Sequence, residues 1–268
     1  MAIKDITLGQ YYPSESVIHR LDPRTKLIGT FVYLVSIFVV KSFAGFAVSA
    51  AFLIAVIILS KIPFGYIARG IKPVLFIIIL TTAMNLFMTP GEVLVKFWIF
   101  TVTREGLSRS MMLATRLVLL IFSSSILTLA TKPMSLTDGL DSMLAPLKKI
   151  GFPSHEITMM LTIAIRFIPT LMDETDKIMK AQTARGADFE SGSLMHRAKS
   201  LIPLLIPLFV SAFRIAADLA MAMEARCYRG GEGRTRMNPM VYSKTDVLAF
   251  AVLGLYVAAV ILMRVFGI

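Results

Sequence analysis

Long apolar runs, broken at short intervals by charges, set the pattern of the chain. Ser42–Ser60 and Pro73–Gly91 carry no charge, Ser110–Thr131 is interrupted only by Arg116, and Val247–Met263 is clean. A bilayer crossing needs roughly 20 largely apolar residues, with about 17–25 tolerated. Leu27–Val40 is shorter, and it crosses if Lys26 and Lys41 extend their stems to opposite interfaces. The pattern therefore predicts five transmembrane helices. Between the third and fourth, Glu92–Gly106 contains VLVKFWIFTVT, whose β-branched and aromatic residues favour a short outer β-hairpin over an irregular interfacial loop.

The stretch from Lys132 to Asp246 follows another rule. Ser135–Lys149 (SLTDGLDSMLAPLKK) alternates apolar and polar groups at helical spacing, with acids early and lysines late, which suits the helix dipole. It predicts an amphipathic helix along the inner interface, bounded by Pro133 and by Gly151-Phe152-Pro153. Ser154 is placed to cap a second helix, with Glu156 in its first turn, running through ITMMLTIAIRFIPTLM into DETDKIMKAQTARG. A third starts near Ser193 or Leu194 and passes through SLIPLLIPLFVSAFRIAADLAMAMEARC. Both have an apolar first half with internal prolines. Both end in Ala-Arg followed by a small residue: Ala184-Arg185-Gly186 and Ala225-Arg226-Cys227. The charge-free stretches Ile157–Ile165 and Ser200–Phe213 are short for spans, and crossing twice would put the two matching endings in different compartments. The organisation expected is 1–131 with four spans, a 132–244 module of three interfacial helices, and 245–268 with the last span.

Composition agrees with a membrane protein. The 268 residues are 56% hydrophobic with only 17% charged, where a soluble domain carries about 25% charge; the mean hydropathy is +0.74. The expected class is an all-α polytopic membrane protein with a cytoplasmic-side module. The net charge of +11 reads as basic loops facing an anionic cytoplasmic leaflet, and no nucleic-acid partner is expected. With the N-terminus inside, Lys4, Arg20, Arg24 and Lys26, then Lys61, Arg69 and Lys72, then the cations between Lys132 and Lys244 all lie inside. Outside remain Lys41, Lys96, Arg104, Arg109 and Arg264. The orientation predicted is N-in, C-out. The N-terminus shows no cleavable signal pattern, so Met1–Lys26 is expected to stay on the protein.

Catalytic chemistry finds little footing. His19, His155 and His196 are scattered, without a zinc-binding spacing. The single Cys227 lacks a general-base partner in sequence and reads as a shielded thiol. Asp173, Glu174 and Asp176 read as a solvated helix face balanced by Lys177 and Lys180 rather than a metal site. Gly230-Gly231-Glu232-Gly233 lacks the GK[ST] ending of a phosphate loop and fits a helix stop. No cofactor and no metal are expected. Arg116, alone in its span, costs roughly 2.5–3.5 kcal/mol at mid-bilayer on insertion scales and so faces protein or water. It reads either as an interhelical hydrogen-bonding group, with Asn85 and Ser123-Ser124-Ser125 as candidate partners, or as part of a transport path. The two Ala-Arg tips present guanidinium forks, suited to carboxylates and carbonyls of another protein; basic helix ends touching lipid phosphates are the plainer alternative.

At these residues the chain resembles the transmembrane T component of energy-coupling factor (ECF) transporters, over nearly its full length. The likeness rests on the lead-in Leu21-Asp22-Pro23-Arg24-Thr25-Lys26-Leu27, the span pattern, the paired arginine endings and the tail Glu224–Thr235. Cys227 departs from the family's pattern, which has glycine there. The resemblance implies a non-catalytic ABC-importer subunit in a bacterial cytoplasmic membrane. Its partners would be two ABC ATPase subunits and a substrate-binding S component that captures a vitamin or other micronutrient. It also implies that Arg185 and Arg226 couple to the ATPases, with Ala184, Gly186, Ala225 and Cys227 shaping the tips, and that Ile157–Met172 and Leu201–Phe213 face the S component. Asp22, Pro23, Arg24, Lys26 and Arg116 are further structural or functional candidates. Three other readings stand beside it: the T subunit of a dedicated cobalt, nickel or biotin system, a membrane enzyme acting on a lipid, and a freestanding secondary transporter. The last would show broken helices and symmetry among the spans, whereas the repeat here lies in the arms.

Overall fold

A computed structural model describes residues 11–97, 100–146, 151, 153–189, 193, 195, 199–230 and 240–266. The elements in chain order are α1 (Val17–Arg20), α2 (Pro23–Val39), α3 (Phe43–Ser60), α4 (Phe64–Arg69), α5 (Leu75–Met88), β1 (Val93–Phe97), β2 (Phe100–Thr103), α6 (Arg104–Ala130), α7 (Pro133–Leu144), α8 (Ser154–Ala184), α9 (Ile202–Ala225) and α10 (Lys244–Phe266). Among the described residues the protein is all-α but for one hairpin, and it is polytopic. By contacts it forms two compact units, one holding Gly9–Met143 with Asn238–Ile268, the other Leu144–Met237.

In the first unit the 27-residue α6 packs on α2, α3, α4 and α5, while α10 closes against α2 and α3. Ile37, Leu53, Leu119, Ile126, Tyr256 and Val260 share the core. Lipid offers no hydrophobic drive between such helices, so packing and interhelical hydrogen bonds hold them. The Tyr256 hydroxyl meets Ser36 Oγ at 2.7 Å and Ser49 Oγ at 3.0 Å, and Tyr33 donates to the Ser49 carbonyl at 3.0 Å. These bonds pin α2, α3 and α10 together.

The expected hairpin forms. β1 and β2 pair antiparallel from Val93 with Thr103 to Phe97 with Phe100, with a bulge between Val93 and Val95; the turn at 98–99 lies outside the described residues. Thr103 then caps α6, accepting from Gly106 N at 3.0 Å and donating to the Thr89 carbonyl at 2.9 Å.

The helix lengths refine the span pattern. Among the described residues, α3, α6, α9 and α10 are long and apolar enough to cross a membrane. The expected span Pro73–Gly91 condenses to the 14 residues of α5, which rise about 21 Å against a hydrocarbon core of about 30 Å. The helix α2 has 17 residues. The third arm runs on past Arg214 to Ala225, as its sequence predicts, so it is longer than its charge-free stretch Ser200–Phe213. Ser154 is the first residue of α8 rather than its cap: the Pro153 carbonyl already accepts from Ile157 N at 3.1 Å, so the cap falls one residue earlier. The expected end of the first amphipathic helix, 147–149, and most of 190–198 around the expected start of the third lie outside the described residues.

Candidate coupling tips and an inner clasp

The second unit carries both arginine endings, and the two are built alike. In α8, Arg185 is the C-cap and Gly186 follows at φ +87°. The amide of Gly186 donates to the Thr183 carbonyl at 2.9 Å and that of Ala187 to Gln182 at 3.0 Å. In α9, Arg226 is the C-cap and Cys227 follows at φ +54°. Cys227 N donates to Glu224 at 2.8 Å and Tyr228 N to Met223 at 3.0 Å. This crossed pair of bonds is the Schellman stop, which needs a left-handed residue just after the C-cap. Cysteine accepts that angle here, so the departure from glycine leaves the stop intact. Ala184, Arg185, Gly186, Ala225, Arg226 and Cys227 are all exposed, so the Cys227 thiol, expected to be shielded, is not: the helix stop carries it out at the tip. Neither guanidinium has a partner among the described residues, so both forks are open to an outside acceptor.

The arms pack on each other in antiparallel sense. Ser211 of α9 donates to Glu174 of α8 at 3.3 Å, and the Tyr228 hydroxyl just past α9 reaches Met159 Sδ, near the start of α8, at 2.8 Å. Tip Arg226 therefore sits beside the beginning of α8, and Arg185 ends it. From Met159 to Arg185 that helix rises on the order of 40 Å at about 1.5 Å per residue, before any bend at Pro169. Glu174 also pairs with Lys177 at 3.5 Å, the charge balance expected on this helix, but it is half-buried against α9 rather than on a fully solvated face. Among the described residues no group of three potential metal ligands assembles.

The lead-in motif forms a clasp in the first unit. Asp22 caps α2 and Pro23 opens it. Arg24 grips Asp22 with Nε at 3.0 Å and Nη2 at 2.8 Å, donates to the Met240 carbonyl at 3.0 Å and lies 4.1 Å from the Tyr242 ring. The amide of Asp22 donates at 2.9 Å to Asp246, which is 1% exposed and also takes Ser243 N at 2.8 Å and Ser243 Oγ at 2.7 Å. Lys26 reaches the His19 and Ala130 carbonyls at 2.9 and 3.0 Å. On the other side Gly139 of α7 lies so close to α2 that an added Cβ would meet Pro23 at 3.1 Å and Leu27 at 3.2 Å. Four helices thus converge on one turn.

Burial pushes the Asp22 carboxyl up, but the hydrogen bonds and charge of Arg24 outweigh it and hold the group below its ordinary range. Burial, helped by the Lys26 charge, lowers His19 against the opposing bond to the Tyr12 carbonyl.

Arg116 finds neither Asn85 nor the serines. Its Nη2 donates to the Val40 carbonyl at 3.0 Å, at the C-terminus of α2, and Arg264 takes the neighbouring Val39 carbonyl at 3.2 Å. Phe38 and Phe46 rings lie 5.8 and 5.6 Å from its guanidinium. These carbonyls are left free by the helix end and carry the negative pole of its dipole. The sequence reading missed Asp246 and Tyr228. A signal for the first was present, since Ser243-Lys244-Thr245-Asp246 has capping-box spacing ahead of an apolar run.

Comparison with known proteins decides the family. A model of the cobalt transport protein (CbiQ) family matches residues 14–237. The energy-coupling factor transporter transmembrane protein EcfT of Thermosediminibacter oceani is 53% identical over 98% of this chain and 99% of its own. The proteins of the same name from Clostridium kluyveri and Bacillus subtilis are 53% and 43% identical, over 98% and 96% of this chain and 98% and 97% of their own. The chain belongs to the CbiQ family. Its relatives are named as transporter transmembrane proteins, not enzymes, and this CbiQ-family chain is a multi-pass membrane protein of transport. The paired stops, the antiparallel arms and the clasp are features of that family member.

Proposed function

We propose that this chain is the non-catalytic transmembrane scaffold of an ECF-type ABC importer, oriented N-in and C-out in a bacterial cytoplasmic membrane. Residues 1–131 and 245–268 anchor it, and residues 132–244 form the coupling module. Two ABC ATPase subunits bind from the cytoplasm, Arg185 entering one and Arg226 the other. The observation that carries this reading is the pair of matching, open, arginine-ended stops at opposite ends of one antiparallel helix pair. A separation on the order of 40 Å suits two protein sites better than one. When ATP closes the ATPases, the grooves carry the tips, the stiff arms change their crossing, and the apolar faces around Ile157–Met172 and Leu201–Phe213 meet a substrate-binding S component differently. Such differential contact is what lets nucleotide bias a distant partner. Substrate choice, for a vitamin or another micronutrient, then lies with the S component.

The test is the double variant Arg185→Glu/Arg226→Glu in cells. It should insert normally, lose the ATPases on purification in mild detergent, and abolish uptake. Normal uptake with ATPases still attached sinks the assignment. The family model's description favours a second reading, the T subunit of a dedicated cobalt system; purification that yields a metal-specific partner in place of several S components would select it.

A further inference from the structure

A cavity of about 240 Å3 lies inside the first unit, where the N-termini of α2 and α10 meet the C-termini of α3 and α6. Its wall is almost wholly apolar, with Tyr33, Leu53, Ile126 and Leu253 among the lining residues. An apolar wall offers water few partners, and in a spanning bundle hydrocarbon is the available filling. Its lining reaches the outer surface at Val17, Leu59, Leu248 and Val252, all exposed.

Cations stand around that edge. Arg20 follows Val17 by three residues on α1, and Lys244 precedes Leu248 by four on α10, so each shares a helix face with its apolar neighbour. Lys61 caps α3 just past Leu59, and α1 packs on α3. All three are exposed; Arg20 meets Glu15 only at 3.9 Å with both side chains in solvent, and the nearby carboxylates of Asp22 and Asp246 are engaged by Arg24 and Ser243. Lys26, in the wall, spends two of its three donors on the His19 and Ala130 carbonyls.

We propose that this cavity is a binding site for one anionic phospholipid, with an acyl chain inside and its phosphate among Arg20, Lys61 and Lys244. Basic pockets between spanning helices on the cytoplasmic side take anionic headgroups. The site is separate from the arms, and the proposal does not depend on the coupling role.

Native mass spectrometry of the full chain, released from nanodiscs of equal phosphatidylglycerol and phosphatidylcholine, tests it. The wild type should retain one phosphatidylglycerol in about hundredfold preference over phosphatidylcholine, given about a fivefold gain for each of the three cations. Gly29 lines the cavity, and a Cβ there would meet nothing within 4 Å. Gly29→Leu should project a side chain into that space and cut retention of both lipids about tenfold. The triple variant Arg20→Gln/Lys61→Gln/Lys244→Gln should keep a retained lipid but lose the preference for charge. Equal retention of the two lipids by the wild type overturns the proposal, as does unchanged retention in Gly29→Leu. If Gly29→Leu does not fold, the triple variant decides alone, and an undiminished preference there overturns the headgroup site.

Discussion

Cys227 shows what one residue costs at a helix end. Its φ of +54° lies in the left-handed region that Gly186 occupies at +87° in the matching tip. A side chain there costs about 1–2 kcal/mol, and part is recovered because glycine is freer in the unfolded chain. Cys227→Gly should therefore stabilise the second stop by about 1 kcal/mol, and Gly186→Ala should weaken the first by a similar amount. Nothing lies within 4 Å of a Cβ at Gly186, so backbone strain alone is at work. Hydrogen exchange at the amides of Gly186, Ala187, Cys227 and Tyr228 reads both: slower for Cys227→Gly, faster for Gly186→Ala. Equal exchange in the parent and both variants would mean that the stops are not what holds these tips.

Where elements meet, the clasp makes the sharper forecast. Asp246 is buried and accepts from Asp22 N, Ser243 N and Ser243 Oγ. Asp246→Ala leaves those donors without an acceptor and should cost about 3 kcal/mol, seen as a lower unfolding midpoint in mixed micelles. Acid acts in the same direction. His19 is held below its ordinary range by burial, so as pH falls the unfolded chain takes its proton first and stability drops. Asp22 is held low by Arg24 against burial, so its contribution, full above the ordinary carboxylate range, is lost as pH falls through its folded value. Thermal midpoints should decline below neutrality and again in the carboxylate range. His19→Gln should flatten only the first decline. These contacts also mark what the sequence could convey. The helices α3, α6 and α10 follow from apolar runs, and the hairpin from its β-branched residues, because each signal is local. The docking of Asp22 on Asp246 is not local. Nor is the bond from Arg116 to Val40, whose acceptor is a carbonyl freed by a helix end, a group that side-chain patterns do not display.

The whole molecule turns on how the arm pair lies in the membrane. Antiparallel arms on the order of 40 Å long nearly match a bilayer with its headgroups, about 40–45 Å. Upright, they would put Arg185 and Arg226 on opposite sides; flat along the interface, both would face one side. Length and apolarity alone would let α9 stand upright. Its partner α8 opposes this, because Arg166, Asp173, Glu174, Asp176, Lys177 and Lys180 sit along it. Each would cost roughly 2.5–3.5 kcal/mol near mid-bilayer on insertion scales, and α9 is tied to α8 at Glu174 and at Met159. That cost favours the flat arrangement, which the proposed coupling role requires because it leaves both tips on one side of the membrane. Cys227 is the single cysteine and is exposed, so it is a ready probe. A membrane-impermeant maleimide should label it in inside-out vesicles and not in right-side-out ones. Cys227→Ala/Ala184→Cys should give the same pattern at the other tip, and Cys227→Ala/Phe266→Cys, at the end of α10, the reverse. Labelling of the two tips from opposite sides would remove the coupling role from at least one of them, because ATPases on one side cannot grip both.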